Sequence, residues 1–175
     1  AAKKSGATII PVDSEHNAIL QIMTTAGLDF NNLRKSKHRE KVDHITLTAS
    51  GGPFLNFTNK QLSRVTPKQA IKHPKWKMGK KISVDSATMM NKGLEIIEAA
   101  ILFNLLPNQI NVLIHPQSIV HALVSFSDGS VISHMSNHDM RVAISYALSW
   151  PKRYDIDIEK LKHKSFSNLS FEKVK

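Results

Sequence analysis

One helical segment constrains the fold more than any other feature of the sequence. From about residue 87 to residue 104, apolar side chains cover nearly the whole helix surface and leave a single polar stripe. At about 100° per residue, the stripe groups Asn91, Glu95 and Glu98 within about 60° of one another, with Lys92 at its edge. We therefore expect a buried helix whose polar stripe either faces solvent or lines a site, and periodicity alone leaves both open.

The other segments predict a mixed sheet packed against helices. Strands are expected at residues 7–12, 45–49, 82–84, 111–114, 118–126 and 130–134. Further helices are expected at 15–23, after Thr66 and at 139–150, with a polar loop or surface helix at 28–44. Because hairpin and crossover signals both occur, the prediction is an α+β domain with a mixed β-sheet covered by helices on one face.

Length and composition suit one globular domain of ordinary size. The 175 residues are expected to form a domain at 1–151 and a linker or arm at 152–175. With 41% hydrophobic and 22% charged residues, and no apolar run near the roughly 20 residues of a membrane span, the chain is expected to be soluble. The glycines form neither a Gly-x-Gly-x-x-Gly motif nor a Walker loop, so no Rossmann-type nucleotide-binding domain is expected in this chain.

The charge balance favours an anionic partner. The 24 Lys and Arg residues against 14 Asp and Glu residues give a net charge of +10, which suits a nucleic acid, an acidic membrane surface or a phosphorylated small molecule. The basic residues are not interleaved with aromatic ones as they are in single-strand binders. Because the sequence has no cysteine, any metal must be held by oxygen or imidazole ligands, which points to Mg²⁺, Mn²⁺ or Zn²⁺.

Two acids stand where a strand is predicted to end, in the segment PVDSEHN at residues 11–17. Asp13 or Ser14 suits the N-cap of the following helix, and Glu15 then lies in the first turn, where the helix dipole favours an acid. Alternatively, Asp13 and Glu15 join Glu95 in a three-carboxylate site for Mg²⁺ or Mn²⁺. Spacing alone favours the cap, because the pattern cannot bring residue 95 beside residue 13.

The predicted start of the long helix carries the residues of a phosphate-binding site. In VDSATMMNKG, Asp85 or Ser86 caps the helix, Asn91 and Lys92 follow one turn later, and the N–H groups of the first turn are free. The ammonium group of Lys92 would supply a point charge. Two glycines and a proline in SGGPF, at residues 50–54, allow the backbone to approach a ligand closely.

Longer stretches of the sequence resemble one enzyme family. The stretches that carry the resemblance are, in chain order, PVDSEHNAI, ASGGPF, HPKWKMGKKISVDSATMMNKGLE, VLIHPQSIVHALV, DGS and DMR. From about Ile9 to Pro151 the chain is similar to the 1-deoxy-D-xylulose 5-phosphate reductoisomerase family and is identified as its central catalytic domain. The resemblance implies an oxidoreductase and isomerase of non-mevalonate isoprenoid biosynthesis, which rearranges its substrate and reduces the product with NADPH to 2-C-methyl-D-erythritol 4-phosphate.

The resemblance also assigns roles to particular residues. The implied metal ligands are Asp13, Glu15 and Glu95. The implied catalytic residues are the same three acids together with His73 and His121. The implied substrate-binding residues are Ser14, Ser50, His73, Trp76, Ser86, Asn91, Lys92 and Glu95. The implied cofactor-binding residues are Met78, Gly79 and Met140. Residues 73–81 are similar to the family's flexible lid, in which Trp76 closes over the carbon backbone of the substrate and expels water.

The family further implies partners and a location. It implies a Mn²⁺ or Mg²⁺ cofactor, NADPH, a homodimer, and a cytoplasmic location in a bacterium or the plastid stroma in a eukaryote. Full-length members carry a preceding NADPH-binding domain and a following helical domain, so the chain is expected to be an excised part of such a protein. It is expected to keep metal and phosphate affinity but to lack hydride transfer.

Two rival functions belong to other classes. A basic nucleic-acid-binding module would explain the net charge, and steeply salt-dependent binding to duplex of arbitrary sequence would favour it. A structural dimerisation fragment would place the alternating strand at residues 119–126 in a subunit contact, and dimerisation without metal binding would support it. We expect neither a nucleic acid nor a membrane as the partner.

Overall fold

The computed structural model describes residues 2–28, 40–76 and 78–174, with two sets of regular elements. The helices are α1 (Ala2–Ser5), α2 (Ser14–Thr25), α3 (Asn59–Leu62), α4 (Pro67–Ala70), α5 (Lys80–Ala87), α6 (Met90–Phe103) and α7 (Met140–Ser149). The strands are β1 (Val42–Ala49), β2 (Ile110–Ile114), β3 (Val120–Phe126), β4 (Val131–Met135) and β5 (Glu172–Lys173). Most of the predicted polar segment at 28–44 lies outside the described residues.

The strands form one mixed sheet in the order β4-β3-β1-β2-β5. β1 runs parallel to β2, whereas the β1–β3, β2–β5 and β3–β4 pairs are antiparallel. A parallel pair needs a long connection between its strands, and here that connection contains α3 to α6. The predicted α+β class with a mixed sheet is confirmed, and within the described residues no dinucleotide-binding Rossmann unit is present.

Helices α2 and α6 pack on the sheet through a single apolar cluster. α2 starts where the sequence predicts, because the Asp13 carboxylate accepts hydrogen bonds from the backbone N–H groups of Glu15 (3.1 Å) and His16 (3.3 Å). From there, α2 buries every residue from His16 to Met23. The cluster includes Ile19 and Leu20 of α2, Ala99 and Phe103 of α6, Ile45 and Leu47 of β1, and Ala122 and Val124 of β3.

The long helix α6 does not bury the side that the sequence predicted. Its buried residues are Lys92, Glu95, Ala99 and Phe103, so part of the polar stripe points into the molecule. The side chains of Ile97 and Ile101 are exposed instead. The expectation of an apolar, buried surface around a polar stripe is therefore wrong, while the alternative that the stripe lines a site is supported.

Two predicted strands and one predicted cap are also wrong. Residues 7–12 are irregular, and the carbonyl oxygen of Pro11 accepts a hydrogen bond from the Asn17 side chain (2.9 Å) rather than from a neighbouring strand. Residues 82–84 lie inside α5 with Ile82 and Val84 exposed, and so short a segment does not distinguish a strand from part of a helix. Asp85 and Ser86 lie in α5 as well, so neither caps α6. That helix begins after Met89, whose left-handed backbone (φ 62°) separates the two helices.

The segment after residue 152 returns to the sheet. β5 pairs with the outer edge of β2, where Ile114 lies opposite Glu172. Just before it, the Gln117 side chain donates to the carbonyl oxygen of Asn168 (2.8 Å) and to the Ser170 hydroxyl (2.9 Å). The division into a domain at 1–151 and a linker at 152–175 stays a prediction. Within the described residues, no helix is long and apolar enough to cross a membrane.

Candidate active site

A cavity of about 340 Å³ opens where β1 ends, bounded by the start of α2, the loop after β1, and helices α5 and α6. Thirteen of the residues proposed from the sequence line it, namely Asp13, Ser14, Glu15, Ser50, His73, Trp76, Met78, Ser86, Asn91, Lys92, Glu95, His121 and Met140. Gly79 is not among the lining residues, because it precedes the first turn of α5 as its N-cap. The crossover thus brings residue 95 beside residue 13, which the sequence pattern could not do.

A buried lysine joins two carboxylates on one wall of this cavity. The ammonium nitrogen of Lys92 lies 2.9 Å from Glu15 Oε1 and forms a second ion pair with Glu95. Lys92 is only 5% exposed and Glu95 only 3%. The Asn91 side chain donates to Glu95, and the Ser14 hydroxyl donates to Glu15. Each carboxylate is therefore held by a charged and a neutral donor.

Burial and mutual repulsion set the protonation of these groups. Burial raises the pKa of Glu95 well above its usual range, and the nearby Glu15 carboxylate raises it further. Burial also opposes ionisation of Glu15, but Lys92 overcomes it and lowers the pKa of Glu15. For Lys92, burial lowers the pKa and the two carboxylates raise it, with a net increase. This wall thus carries a single ammonium group, which forms ion pairs with two carboxylates.

A group able to bind a metal adjoins the ion pairs. Asp13, His16 and Glu95 each offer one ligand atom, and these atoms lie within 4.8 Å of one another. His16 Nε2 lies 2.9 Å from the carbonyl oxygen of Glu95, so Nε2 carries the proton and Nδ1, which lies 3.6 Å from Asp13 Oδ1, is the ligand atom. Glu15 is not in this set because its carboxylate turns towards Lys92. The donor set of carboxylate oxygens with one imidazole nitrogen suits Mg²⁺, Mn²⁺ or Zn²⁺.

Another part of the cavity lining carries a serine hydroxyl whose orientation can be derived. His73 Nδ1 accepts the backbone N–H groups of Lys75 (3.1 Å) and Trp76 (2.9 Å), so the proton of the neutral ring is on Nε2. That N–H donates to Ser50 Oγ over 3.0 Å, and the Gly52 N–H donates to the same oxygen over 3.1 Å. Burial lowers the pKa of His73, which favours this neutral form. The Ser50 hydroxyl hydrogen is then left to donate into the cavity.

Gly52 holds the two serine-bearing segments together. Its φ of +67° is rarely adopted by other residues, and a Cβ atom there would lie 2.8 Å from the carbonyl oxygen of Ser86. The loop after β1 can therefore pack directly on the last turn of α5. This close approach places Ser50 and Ser86 on the same cavity wall.

Of the remaining predicted residues that line the cavity, Trp76 and Met140 are partly exposed and mark its mouth, whereas His121 is buried. His121 is buried, and its Nε2 lies 2.9 Å from Ser136 Oγ. Burial lowers the pKa of His121, although the Glu15 carboxylate opposes that effect. Trp76 packs edge-on against His138. The sequence analysis missed Met89 and Ser118, which also line the cavity. Their only local signals are backbone conformations with positive φ, which a sequence does not display.

Family models and relatives match this chain over most of its length. A model described as the 1-deoxy-D-xylulose 5-phosphate reductoisomerase C-terminal domain matches residues 9–103, and one described as the DXP reductoisomerase C-terminal domain matches residues 135–175. The reductoisomerase of Persephonella marina is 53% identical over 163 residues, covering 93% of this chain and 41% of the relative. That of Pseudomonas aeruginosa is 50% identical over 173 residues, covering 99% of this chain and 42% of the relative.

Solved structures agree with the sequence matches. A DOX-P reductoisomerase in complex with NADPH, fosmidomycin and magnesium superposes with a TM-score of 0.88 at 46% identity, covering 97% of this chain and 41% of that one. The Zymomonas mobilis enzyme in complex with NADPH gives a TM-score of 0.82 at 41% identity, covering 98% of this chain and 41% of that one. The mixed sheet and the helices packed on it thus have the fold of domains in these solved structures.

The chain is thus an α+β domain with the fold of the corresponding part of these reductoisomerases. The chain belongs to the 1-deoxy-D-xylulose 5-phosphate reductoisomerase family. It spans about two fifths of the length of the curated relatives that it matches. The identification as a central domain is corrected, because both matching family models are described as C-terminal.

Proposed function

We propose that this chain supplies the metal- and substrate-binding part of an enzyme that converts 1-deoxy-D-xylulose 5-phosphate to 2-C-methyl-D-erythritol 4-phosphate with NADPH. The observation that carries the proposal is one cavity that unites the Asp13, Glu15 and Glu95 carboxylates with the hydroxyl donors Ser50 and Ser86. A phosphorylated polyol needs both a cation site for its oxygens and donors for its phosphate. One solved relative is in complex with NADPH, fosmidomycin and magnesium, which agrees with this assignment.

Asp13, Glu15 and Glu95 are the residues that would hold a divalent cation, with His16 beside them as a fourth candidate ligand. When bound, Mg²⁺ or Mn²⁺ would act as a Lewis acid on the ketone and hydroxyl oxygens of the substrate. The cavity lining suits a cation, because it has three carboxylates, those of Asp13, Glu15 and Glu95, and one lysine, Lys92. Lys92 favours the ionised form of Glu15, because its ammonium lowers the pKa of that carboxylate despite burial.

The phosphate would be held on the wall that carries Ser50 and Ser86. Ser50 offers a hydroxyl hydrogen because its oxygen already accepts from His73 and Gly52. Asn91 and Lys92 line the same cavity and are proposed to meet the anion from α6, which requires Asn91 to release part of its contact with Glu95, and Lys92 part of its contacts with Glu15 and Glu95. His73 contributes through Ser50, because burial lowers its pKa and the neutral ring donates its single N–H to the Ser50 oxygen.

Closure and reduction would use the mouth of the cavity. Trp76 and Met78 lie there on the segment after α4, where an aromatic ring can cover the substrate and exclude water. Met140 lines the same mouth from the start of α7, and with Met78 and Gly79 it is proposed to face the nicotinamide. A homodimer and the boundary at residue 151 stay predictions. The family matches do not favour a nucleic-acid-binding module.

A chimera tests the proposal in a complete enzyme. The segment of the Persephonella marina reductoisomerase that matches this chain is replaced by this chain, and NADPH oxidation is followed with 1-deoxy-D-xylulose 5-phosphate and Mg²⁺. We expect turnover that Glu95→Gln lowers by about 100-fold or more. The control Glu172→Gln removes an exposed acid of β5 and should keep turnover. A folded chimera without turnover would refute the proposal.

A further inference from the structure

The aromatic ring at the cavity mouth has a partner that the proposed function does not use. The rings of Trp76 and His138 meet edge to face, with centroids 5.5 Å apart and planes at 90°. Aromatic pairs prefer this geometry, which adds attraction beyond the area that they bury. Trp76 also has its backbone N–H bonded to His73 Nδ1 over 2.9 Å. The indole is therefore held from the backbone side by His73 and from the ring side by His138.

His138 is itself fixed by a hydrogen bond to the chain. Its Nε2 lies 2.7 Å from the carbonyl oxygen of Gln117. A carbonyl oxygen only accepts, so Nε2 is the N–H donor and the ring orientation is set. The Gln117 side chain bonds the backbone of the returning tail at Asn168 and the hydroxyl of Ser170.

The loop that carries His138 is tied to the tail on its other side as well. The side chain of Asn137 donates to the carbonyl oxygen of Glu159 over 2.6 Å, and Arg141 donates to that of Asp157 over 3.1 Å. Residues 137–141 therefore lie between the tail and the cavity mouth. A ring anchored in this way can restrain a side chain that packs on it.

We propose that His138 is a positioning residue, which holds the Trp76 indole at the cavity mouth through their edge-to-face contact before any ligand binds. The inference rests on the proposed function in one respect, since it concerns the ring expected to close over the substrate. Restraining the indole in advance lowers the entropy that closure costs, and so favours binding more than the chemical step. His138 does not touch the substrate in this account.

Trp76 fluorescence tests the contact without any substrate. The chain has two tryptophans, so Trp150→Phe leaves Trp76 as the single reporter. This background change is mild, because the Trp150 Nε1 atom is buried without a hydrogen-bond partner among the described residues. Acrylamide quenching then reports how accessible the indole is. We expect His138→Ala to raise the quenching constant about twofold, because the covering ring is lost.

Two further variants make the result specific. His138→Phe keeps an aromatic ring and should restore most of the original quenching constant, which a general loosening of the fold would not permit. His163→Ala removes a histidine on the exposed tail that packs on Phe166, and it should change nothing. Equal quenching constants for His138→Ala and its parent would overturn the inference.

The chimera separates this inference from the proposed function. In an active chimera, His138→Ala should raise KM for the substrate about three- to tenfold and leave kcat within about twofold, with rescue by His138→Phe. A loss of kcat with unchanged KM would contradict a positioning role. If the parent chimera is inactive, the proposed function fails, while the quenching experiment still decides whether His138 holds Trp76.

Discussion

The apolar interior and the cavity wall are equally buried but differ in what burial does to them. In the interior, Ile19 and Leu20 of α2 are fully buried, and removing them from water stabilises the fold. On the cavity wall, Lys92 and Glu95 are nearly as inaccessible, yet burial opposes the charged form of both. The interior can therefore stabilise the chain by itself, whereas the wall depends on each charge keeping its partner.

The largest effect is expected from removing the ammonium that neutralises the wall. Lys92→Met leaves Glu15 and Glu95 buried with no cation between them, and we expect the free energy of unfolding to fall by about 4 kcal/mol at pH 7. Urea denaturation measures the change. Adding Glu95→Gln to Lys92→Met should recover part of the loss. A single Lys92→Met variant as stable as its parent would show that the wall does not depend on this pairing.

Truncation of the interior should cost somewhat less and respond to nothing in the cavity. Ile45 lies fully buried on β1, so Ile45→Ala leaves a hole and should lower the free energy of unfolding by about 3 kcal/mol. The loss should be the same with and without Mg²⁺. A destabilisation that Mg²⁺ reverses would mean that interior and cavity are not separate in the way we describe.

His134 on β4 should make the stability of the fold depend on pH, although it belongs to neither the apolar cluster nor the lining of the cavity. Burial, together with the nearby His121 and Arg153, lowers the pKa of His134 to about 4. Between the ordinary pKa and about 4, the unfolded chain binds a proton that the folded chain refuses, so stability falls as pH falls through that range. We expect a loss of about 2 kcal/mol between pH 7 and pH 4. The variant His134→Phe should lack this component, and an identical pH profile for both proteins would contradict the assignment.

The smallest expected effect is a gain. Because the pKa of Glu95 is raised in the fold, its ionised form costs stability at neutral pH, and that cost grows as pH rises through the raised pKa. Glu95→Gln removes this charge and leaves Lys92 paired with Glu15, so the metal-free protein should gain about 1 kcal/mol. A thermal melt in EDTA measures it. A clear loss of stability would show that Glu95 supports the fold rather than a ligand.

Local patterns predicted the interior better than the cavity. The Asp13 cap and the apolar spacing of α2 are local signals, and the structure agrees with both. The strand predicted at 82–84 was wrong because so short a segment is compatible with a strand and with the helix α5 in which it lies. The inward side of α6 was ambiguous for the same reason, since both of its sides carry residues able to pack.

The cavity required information that no window of sequence contains. The Glu15–Lys92 pair joins residues 77 positions apart, and it forms only because the crossover after β1 returns α6 to the start of α2. The residues of the cavity were named by likeness to a family, while spacing alone left Asp13 as a simple cap. The pairing of Lys92 with two acids, in place of a free point charge for phosphate, was visible only in the structure.

A calorimetric titration of Mn²⁺ into this chain tests most directly whether Asp13, Glu15 and Glu95 form a cation site. The titration is run on the unmodified chain, on Glu95→Gln and on the matched control Glu172→Gln, with a circular dichroism melt to verify that each is folded. We predict saturable binding that Glu95→Gln weakens at least about tenfold and Glu172→Gln leaves unchanged. Equal affinity in folded Glu95→Gln, or no binding by the folded unmodified chain, would contradict the account.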